Sequence, residues 1–494
     1  MKSVLVTSAL FAVATARSTG SFGGASQGWG WSGPYPGSGS GTPDAPSPGS
    51  TAFDPLEHLG GNSPYFEGPN VFGISATVPD ECKVDQAVYI TRHGSRYPDP
   101  GAYNGWVTLY NKIQNASFQA TGSLAFLRDW KPVLDNPSLE LSQVSPGGYD
   151  ELYHYGVELR TRYPGFYQYG APFRVWTNDY PRTIDSARLF ARGYIGPNST
   201  SLGTVYAINS KAASAVGNSL ATSDSCPTFA DSSGSGYADV YDNVYLPPIA
   251  TRLNALLKGN LNLTASDVSK IPYLCGFESQ ILRSISPFCA VFTEQETLQY
   301  EYRQDLRYWY GTGLGAYKNA SVQLPLLQGV VDLLSSGPKT SVAGSTHGND
   351  TLGPLTVAFT HDNQINELAS ILGIFDQQKA LPSTSIDRNR IYVSSRITPM
   401  RGTVAFERLN CSNNLYVRIL LDDAVYPVPA CRSGPGSSCP LQQYRDQVVA
   451  GKWAEFGSFS SVCHLPSQNV TTGPDGAVTF FTNLASSAIR SVVP

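Results

Sequence analysis

Ala87-Val88-Tyr89-Ile90-Thr91-Arg92-His93-Gly94-Ser95-Arg96-Tyr97-Pro98 joins a short apolar run to a cluster of two arginines, a histidine, a glycine and a proline. A run of that length and composition, closed by turn-forming residues, reads as a buried strand ending in a loop. The same grammar recurs twice. Phe173-Arg174-Val175-Trp176 leads into Pro181-Arg182 and a helical periodicity from about Ile184 to Tyr194, with Ile184, Ala187 and Ala191 on one face. Leu355-Thr356-Val357-Ala358-Phe359 ends in Thr360-His361-Asp362-Asn363 and opens a helix through Ile365, Leu368, Ala369 and Leu372. Strands alternating with helices imply an α/β fold. Each polar cluster falls just past a strand's C-terminal end, where open parallel sheets bind ligands.

Other stretches are helical and look inserted. Ser145-Pro146 reads as a cap followed by a proline in the first turn, starting a helix through Leu152, Tyr155 and Leu159 that stops at Tyr163-Pro164. Further helical pattern surrounds Leu253 to Leu257 and Leu298 to Tyr310. The expected architecture is a large doubly wound α/β domain with a mixed or parallel sheet. A smaller helical domain is inserted, with cap segments at about 101–165 and 215–330.

Composition narrows the function. The chain has 494 residues, a formal charge of -4 and no broad Lys/Arg face, which argues against a nucleic-acid partner. Residues 1–16 read as a signal peptide: Lys2, an apolar Val4 to Val13 too short to span a bilayer, and the small-residue site Ala14-Thr15-Ala16. Residues 17–50 form a Gly/Ser/Pro tract unable to bury enough apolar surface to offset its ordering entropy. Residues 51–494 are left as the catalytic region. No later apolar run approaches the roughly 18 residues of a spanning helix, so no membrane partner is expected and secretion follows. Sequons at Asn115, Asn198, Asn262, Asn319, Asn349, Asn410 and Asn469 fit that route as glycosylation candidates. Eight cysteines suggest four disulfides in an oxidising compartment. Cys431 and Cys439 enclose a Gly/Pro/Ser turn and Cys275 and Cys289 a compact segment, so local bridges are natural there. No C-x-x-C spacing occurs, and a structural zinc site is not expected.

Arg92-His93-Gly94-x-Arg96-x-Pro98 carries the chemistry. A phosphoryl group in transfer holds negative charge on its equatorial oxygens, and two guanidiniums four residues apart on a tight loop can fork onto them. A neutral imidazole between them is a competent phosphorus nucleophile when its other nitrogen donates to a fixed acceptor. Five fixed positions of this kind arise by chance in such a chain on the order of once in ten thousand. His361-Asp362 adds a second element. An Asp held protonated near phosphate oxygens can supply the leaving alkoxide's proton, and His361 as imidazolium adds a third positive contact. Arg182, at a helix start after a strand, completes the anion pocket.

These residues resemble the histidine acid phosphatases, the branch of the phosphoglycerate mutase-like superfamily that contains secreted fungal acid phosphatases and phytases. Arg92 to Pro98 is similar to the family's R-H-G-x-R-x-P, and His361-Asp362 to its distal H-D pair. Similarity extends through Gly60 to Tyr65, Pro181 to Arg188, Ser286 to Cys289, Phe292-Thr293 and Ser433 to Gly436, covering roughly residues 55–465. The resemblance implies His93 as the phosphorylated nucleophile, with Arg92, Arg96, Arg182 and His361 holding phosphate and Asp362 as proton donor. It implies hydrolysis in two steps without any metal or other cofactor, on small-molecule phosphate monoesters. It also implies pairing Cys82 with Cys411, Cys226 with Cys463, Cys275 with Cys289, and Cys431 with Cys439. Arg307 and Tyr308 stand where some phytases have paired lysines, and Lys/Arg are sparse, so a broad acid phosphatase is favoured over a dedicated 3-phytase acting on inositol hexakisphosphate. A mutase-like phosphotransferase and a non-catalytic phosphate-binding protein are the other readings.

Overall fold

The structure, a computed structural model, describes residues 53–232, 234–344 and 350–494. The signal-peptide reading, the 17–50 tract and the sequon at Asn349 lie outside the described residues. Among the described residues the strands are β1 (Cys82–Arg92), β2 (Phe118–Ala120), β3 (Phe173–Asn178), β4 (Gly203–Ile208), β5 (Leu257–Gly259), β6 (Leu355–Thr360), β7 (Thr403–Cys411), β8 (Asn414–Leu421), β9 (Ala424–Val425), β10 (Cys439–Pro440) and β11 (Ile489–Val492). The main sheet runs β10-β8-β7-β1-β6-β3-β4-β11, with β9 on β8. Its centre is parallel, β1 pairing β6, β6 pairing β3 and β3 pairing β4. β7, β8 and β11 run antiparallel to their neighbours, so the sheet is mixed.

The apolar runs explain this centre. In β1, Ala87 and Tyr89 pack into one core while Val88 and Ile90 pack into the other, the alternation of a strand covered on both faces. Every residue of β6 is buried. Burying one such aliphatic or aromatic side chain contributes about 1.5–3 kcal/mol, so these segments hold the middle of the sheet and polar residues are pushed to the strand ends. Register then fixes the site. Arg92 lies opposite Thr360 across β1 and β6, and Thr177 lies opposite Phe359 across β3 and β6. Three parallel strands therefore end side by side, and the polar cluster after each meets the other two.

The helices that matter here are α1 (Pro100–Gln114), α2 (Pro146–Arg162), α3 (Pro181–Ile195), α4 (Ser235–Asn254), α5 (Ile271–Leu282), α6 (Glu294–Gly311), α7 (Leu324–Ser336) and α8 (Asp362–Ile371). α2 starts as its sequence suggests, with the Ser145 hydroxyl accepting from the Gly148 amide at 3.3 Å and Pro146 in the first turn. α6 carries a capping box between Thr293 and Glu296. One expectation needs correcting: the pattern at Leu253 to Leu257 is not one helix. α4 ends at Asn254, whose side chain bonds both the amide and the carbonyl of Leu263, and Leu257–Gly259 leaves as β5 to pair with β2.

Four disulfides are present, Cys82–Cys411, Cys226–Cys463, Cys275–Cys289 and Cys431–Cys439. The first joins residues facing each other across β1 and β7. Of the described sequons, Asn115, Asn198, Asn262 and Asn469 are exposed, whereas Asn319 and Asn410 are half-buried. Asn319 spends its amide on the carbonyls of Ala230 and Gly311, at 2.8 and 2.7 Å, an arrangement a glycan would break.

Candidate active site

β1 ends at Arg92, and the chain turns at once into His93-Gly94-Ser95-Arg96. The turn is held from every side. The Arg92 amide donates to Gly402 O at 2.8 Å, the His93 amide to Thr360 O at 3.0 Å, and the Arg401 amide to His93 O at 3.0 Å. The Gly94 amide donates to Ser186 Oγ on α3 at 3.2 Å, and the Ser95 amide to Glu151 Oε2 on α2 at 2.8 Å. α2 comes this close because of Gly148, where a Cβ would stand 2.0 Å from Ser95 O.

His93 is 1% exposed. Its Nδ1 lies 3.0 Å from Gly94 O, which can only accept, so Nδ1 carries the proton and Nε2 presents a lone pair. Nε2 is buried with no hydrogen-bond partner among the described residues. Burial first, and then Arg182, Arg92, Arg96 and His361, hold its proton affinity well below that of an ordinary histidine. The ring is neutral, and Nε2 is the nitrogen that carries its free lone pair.

Around it stand donors without acceptors. Arg92 Nη1 donates to Gly61 O and Thr398 O, both at 2.6 Å, leaving Nε unpartnered. Arg96 bonds Tyr97 O at 2.8 Å and Asp99 Oδ2 at 2.9 Å, again leaving Nε unpartnered. Arg182 lies in the first turn of α3, with its guanidinium 4.6 Å from the centre of the Tyr180 ring and its Nε unpartnered. His361 Nε2 lies 3.3 Å from Asn178 Nδ2, a donor, so the proton sits on Nδ1, which is buried and without a partner. The two histidine rings meet edge to face at 5.7 Å. A buried unsatisfied donor costs about 1–3 kcal/mol, so four of them on residues whose charges act on His93 suit an oxygen-rich anion.

Asp362 opens α8. Its Oδ2 accepts from the Tyr308 hydroxyl at 2.6 Å and stands 3.7 Å from Arg92 Nη2. The sequence reading has Asp362 protonated and His361 charged beside phosphate oxygens; without a ligand the balance of forces on both groups is different. Burial pushes the Asp362 carboxyl up, but Arg92, Arg307, the Tyr308 hydrogen bond and His93 outweigh it and hold the group well below the usual carboxylate range. Burial, with Arg182 next, takes His361 down to about 3. In the unliganded protein Asp362 is therefore ionised and His361 neutral. The neighbouring cations push both groups the same way, overcoming burial at Asp362 and adding to it at His361.

Arg92, Arg96, Arg182 and Asp362 line a cavity of about 370 Å³ whose other walls include residues of α4, α5 and α6. The sequence singled out Tyr308 without its bond to Asp362 and missed Asn178, which occupies the same strand-end position on β3 that drew attention to His93 and His361. It also missed Asp99, although its partner Arg96 is only three residues away, and Asp242 and Arg303, whose pairing across two helices leaves no local signature. Among the described residues no group of three or more His, Cys, Asp or Glu is arranged to hold a metal ion. None of the described helices is long and apolar enough to cross a membrane.

A family model, the histidine phosphatase superfamily (branch 2), matches residues 83–422, spanning the three strand ends. The chain belongs to this superfamily. It is 31% identical to a phytase of Candida albicans over 401 residues, 80% of this chain and 84% of the other. It is 32% identical to an acid phosphatase of Komagataella pastoris over 438 residues, 86% of this chain and 90% of the other. The crystal structure of the phytase from D. castellii superposes with a TM-score of 0.76 at 28% identity, covering 87% of this chain and 90% of that one. The mixed α/β architecture of this histidine phosphatase is thus shared with a solved relative.

Proposed function

We propose that this histidine phosphatase is a secreted acid phosphatase that hydrolyses phosphate monoesters through a phosphohistidine at His93. One observation carries the reading: a buried, neutral imidazole with an unpartnered Nε2, lying in the field of Arg92, Arg96, Arg182 and His361, each of which also has a buried nitrogen without a partner among the described residues. The phosphoryl oxygens accept from those donors, and Nε2 attacks phosphorus as the ester P–O bond breaks. Asp362 delivers the proton to the departing oxygen. Although ionised at rest, it gains proton affinity when a bound phosphoryl group draws on the same guanidinium charge that held it down. An acidic medium supplies that proton. In the second step a water gives its proton to the Asp362 carboxylate and attacks phosphorus, releasing Nε2 and inorganic phosphate.

Acidity is where most histidines fail as nucleophiles, because they are protonated. The burial and cationic neighbours of His93 keep its lone pair free there. Supporting secretion are the leader-like residues 1–16 and the exposed sequons, and supporting an oxidising route are the four disulfides. A 3-phytase activity is the second reading, favoured by Arg307 of α6 within the cavity. The test is p-nitrophenyl phosphate hydrolysis at acidic pH, measured with and without chelator, in the full chain and in His93→Ala. Rapid acid-free quenching with labelled ester is expected to trap label on residue 93. Retained turnover in His93→Ala, or label found on another residue, refutes the assignment.

A further inference from the structure

Five arginines and three aspartates line the cavity. Each aspartate has one arginine within salt-bridge distance. Asp99 holds Arg96 at 2.9 Å and Asp362 stands 3.7 Å from Arg92. Asp242 grips Arg303 from the opposite wall, its two carboxylate oxygens 3.2 and 3.3 Å from Nε and its Oδ2 also 3.2 Å from Nη2. Arg182 and Arg307 form no salt bridge among the described residues and lie instead over the rings of Tyr180 and Tyr308, at 4.6 and 4.4 Å. Arg182 and Arg307, the two lining arginines with no carboxylate at salt-bridge distance among the described residues, match a single phosphoryl group. A cavity recruiting a polyphosphorylated ligand needs more.

Arg303 is the group that would supply it. On α6 it sits one turn before Arg307, on the face that also carries Tyr300 and Gln304 into the cavity. Along the helix axis it is about 7.5 Å from Tyr308, the residue that touches Asp362. A second phosphate on the same small leaving group can cover that span. With Asp242 in place, such a phosphate meets an arginine already neutralised and a carboxylate that repels it.

Resting on the phosphomonoesterase reading above, we infer that Asp242 is a specificity-determining residue which, by holding Arg303, restricts this cavity to substrates with a single phosphoryl group. Asp242 stands on α4, away from the donors around His93, so it acts on the leaving-group side of the substrate. The pair is partly exposed, which moderates its electrostatic effect.

The experiment compares the full chain with Asp242→Asn and with Asp242→Asn/Arg303→Gln, on inositol hexakisphosphate and p-nitrophenyl phosphate. The ratio of kcat/KM on the first to kcat/KM on the second is expected to rise about tenfold in Asp242→Asn, mainly through KM, equivalent to about 1.4 kcal/mol. Added salt shrinks the gain, and the double variant returns the ratio to its starting value. A ratio unchanged in Asp242→Asn, or a gain that survives loss of Arg303, overturns the inference. Calorimetric binding of inositol hexakisphosphate in a His93→Ala background gives a readout that does not need turnover. There Asp242→Asn tightens Kd about tenfold if the inference holds and leaves it unchanged if it fails, so its failure is distinguishable from failure of the phosphatase reading.

Discussion

A single methyl group at residue 94 tests whether the placement of the loop carrying the proposed nucleophile sets the rate. A Cβ on Gly94 stands 2.7 Å from Leu152 Cδ1, 2.8 Å from Leu152 Cγ and 3.3 Å from Glu151 Oε2. Carbon atoms in contact keep about 3.5–4.0 Å, so the loop or α2 moves by about 1 Å. Leu152 is fully buried at 0% exposure and has nowhere to go, which leaves the loop to yield. The loop is where His93 Nδ1 finds Gly94 O, the bond that selects the tautomer with a free Nε2. A misplacement of that size costs on the order of 100-fold in kcat, about 2.7 kcal/mol of transition-state stabilisation, and overpacking costs about 1–3 kcal/mol of stability.

Steady-state kinetics on p-nitrophenyl phosphate and thermal unfolding, run on Gly94→Ala, Leu152→Ala and the double variant, read both quantities. Leu152→Ala alone opens a cavity and lowers stability by about 2–5 kcal/mol. In the double variant the new methyl enters that space, so kcat recovers at least tenfold over Gly94→Ala and the two stability losses sum to more than the double shows. Wild-type kcat in Gly94→Ala refutes the steric reasoning, and so does a folded double variant no faster than the single.

Asp362→Asn is expected to slow alkyl phosphates by about 10²–10⁴-fold and aryl phosphates far less, because only the poorer leaving group depends on proton transfer; equal losses on β-glycerophosphate and p-nitrophenyl phosphate refute the donor role. Glu278 is held by hydrogen bonds from the Trp130 indole and the Ser286 hydroxyl, both at 2.7 Å, and burial pushes its carboxyl up to about 7. Its neutral form therefore stabilises the fold fully below the unfolded carboxyl's pKa near 4.5, and that contribution is lost as pH rises from about 4.5 to about 7, on the order of 3 kcal/mol in all. Glu278→Gln is expected to flatten Tm across that window, and a Tm profile that still falls as steeply as in the unaltered chain refutes the assignment.

Much of this site was legible because parallel strands deliver their C-terminal ends to one edge. The apolar runs before Arg92, before Pro181-Arg182 and before His361-Asp362 were each short and closed by polar residues, and the register of β1, β6 and β3 brings those residues together. Caps were legible too, as at Ser145, because their hydrogen bonds are local. What escaped depends on distance in sequence. Asp242 and Arg303 meet across two helices, and nothing near either residue in the chain announces the other. The run from Leu253 to Leu257 carries a helical spacing, yet the two-stranded pairing of β5 with β2 takes its last residue.

Protonation escaped for a different reason. The residue types around His93 tell which groups can bear charge, but their states follow from burial, which only the folded chain sets. The same desolvation that strips the proton from His93 also leaves Arg92, Arg96, Arg182 and His361 with donors unmet. Folding thus bears the cost of a buried, half-satisfied cluster, and an anion with several oxygens relieves it. Acid tolerance of the nucleophile and affinity for phosphate then have one origin. A substitution that lets water reach His93 is bound to weaken both together, raising its pKa while supplying the donors with competing acceptors.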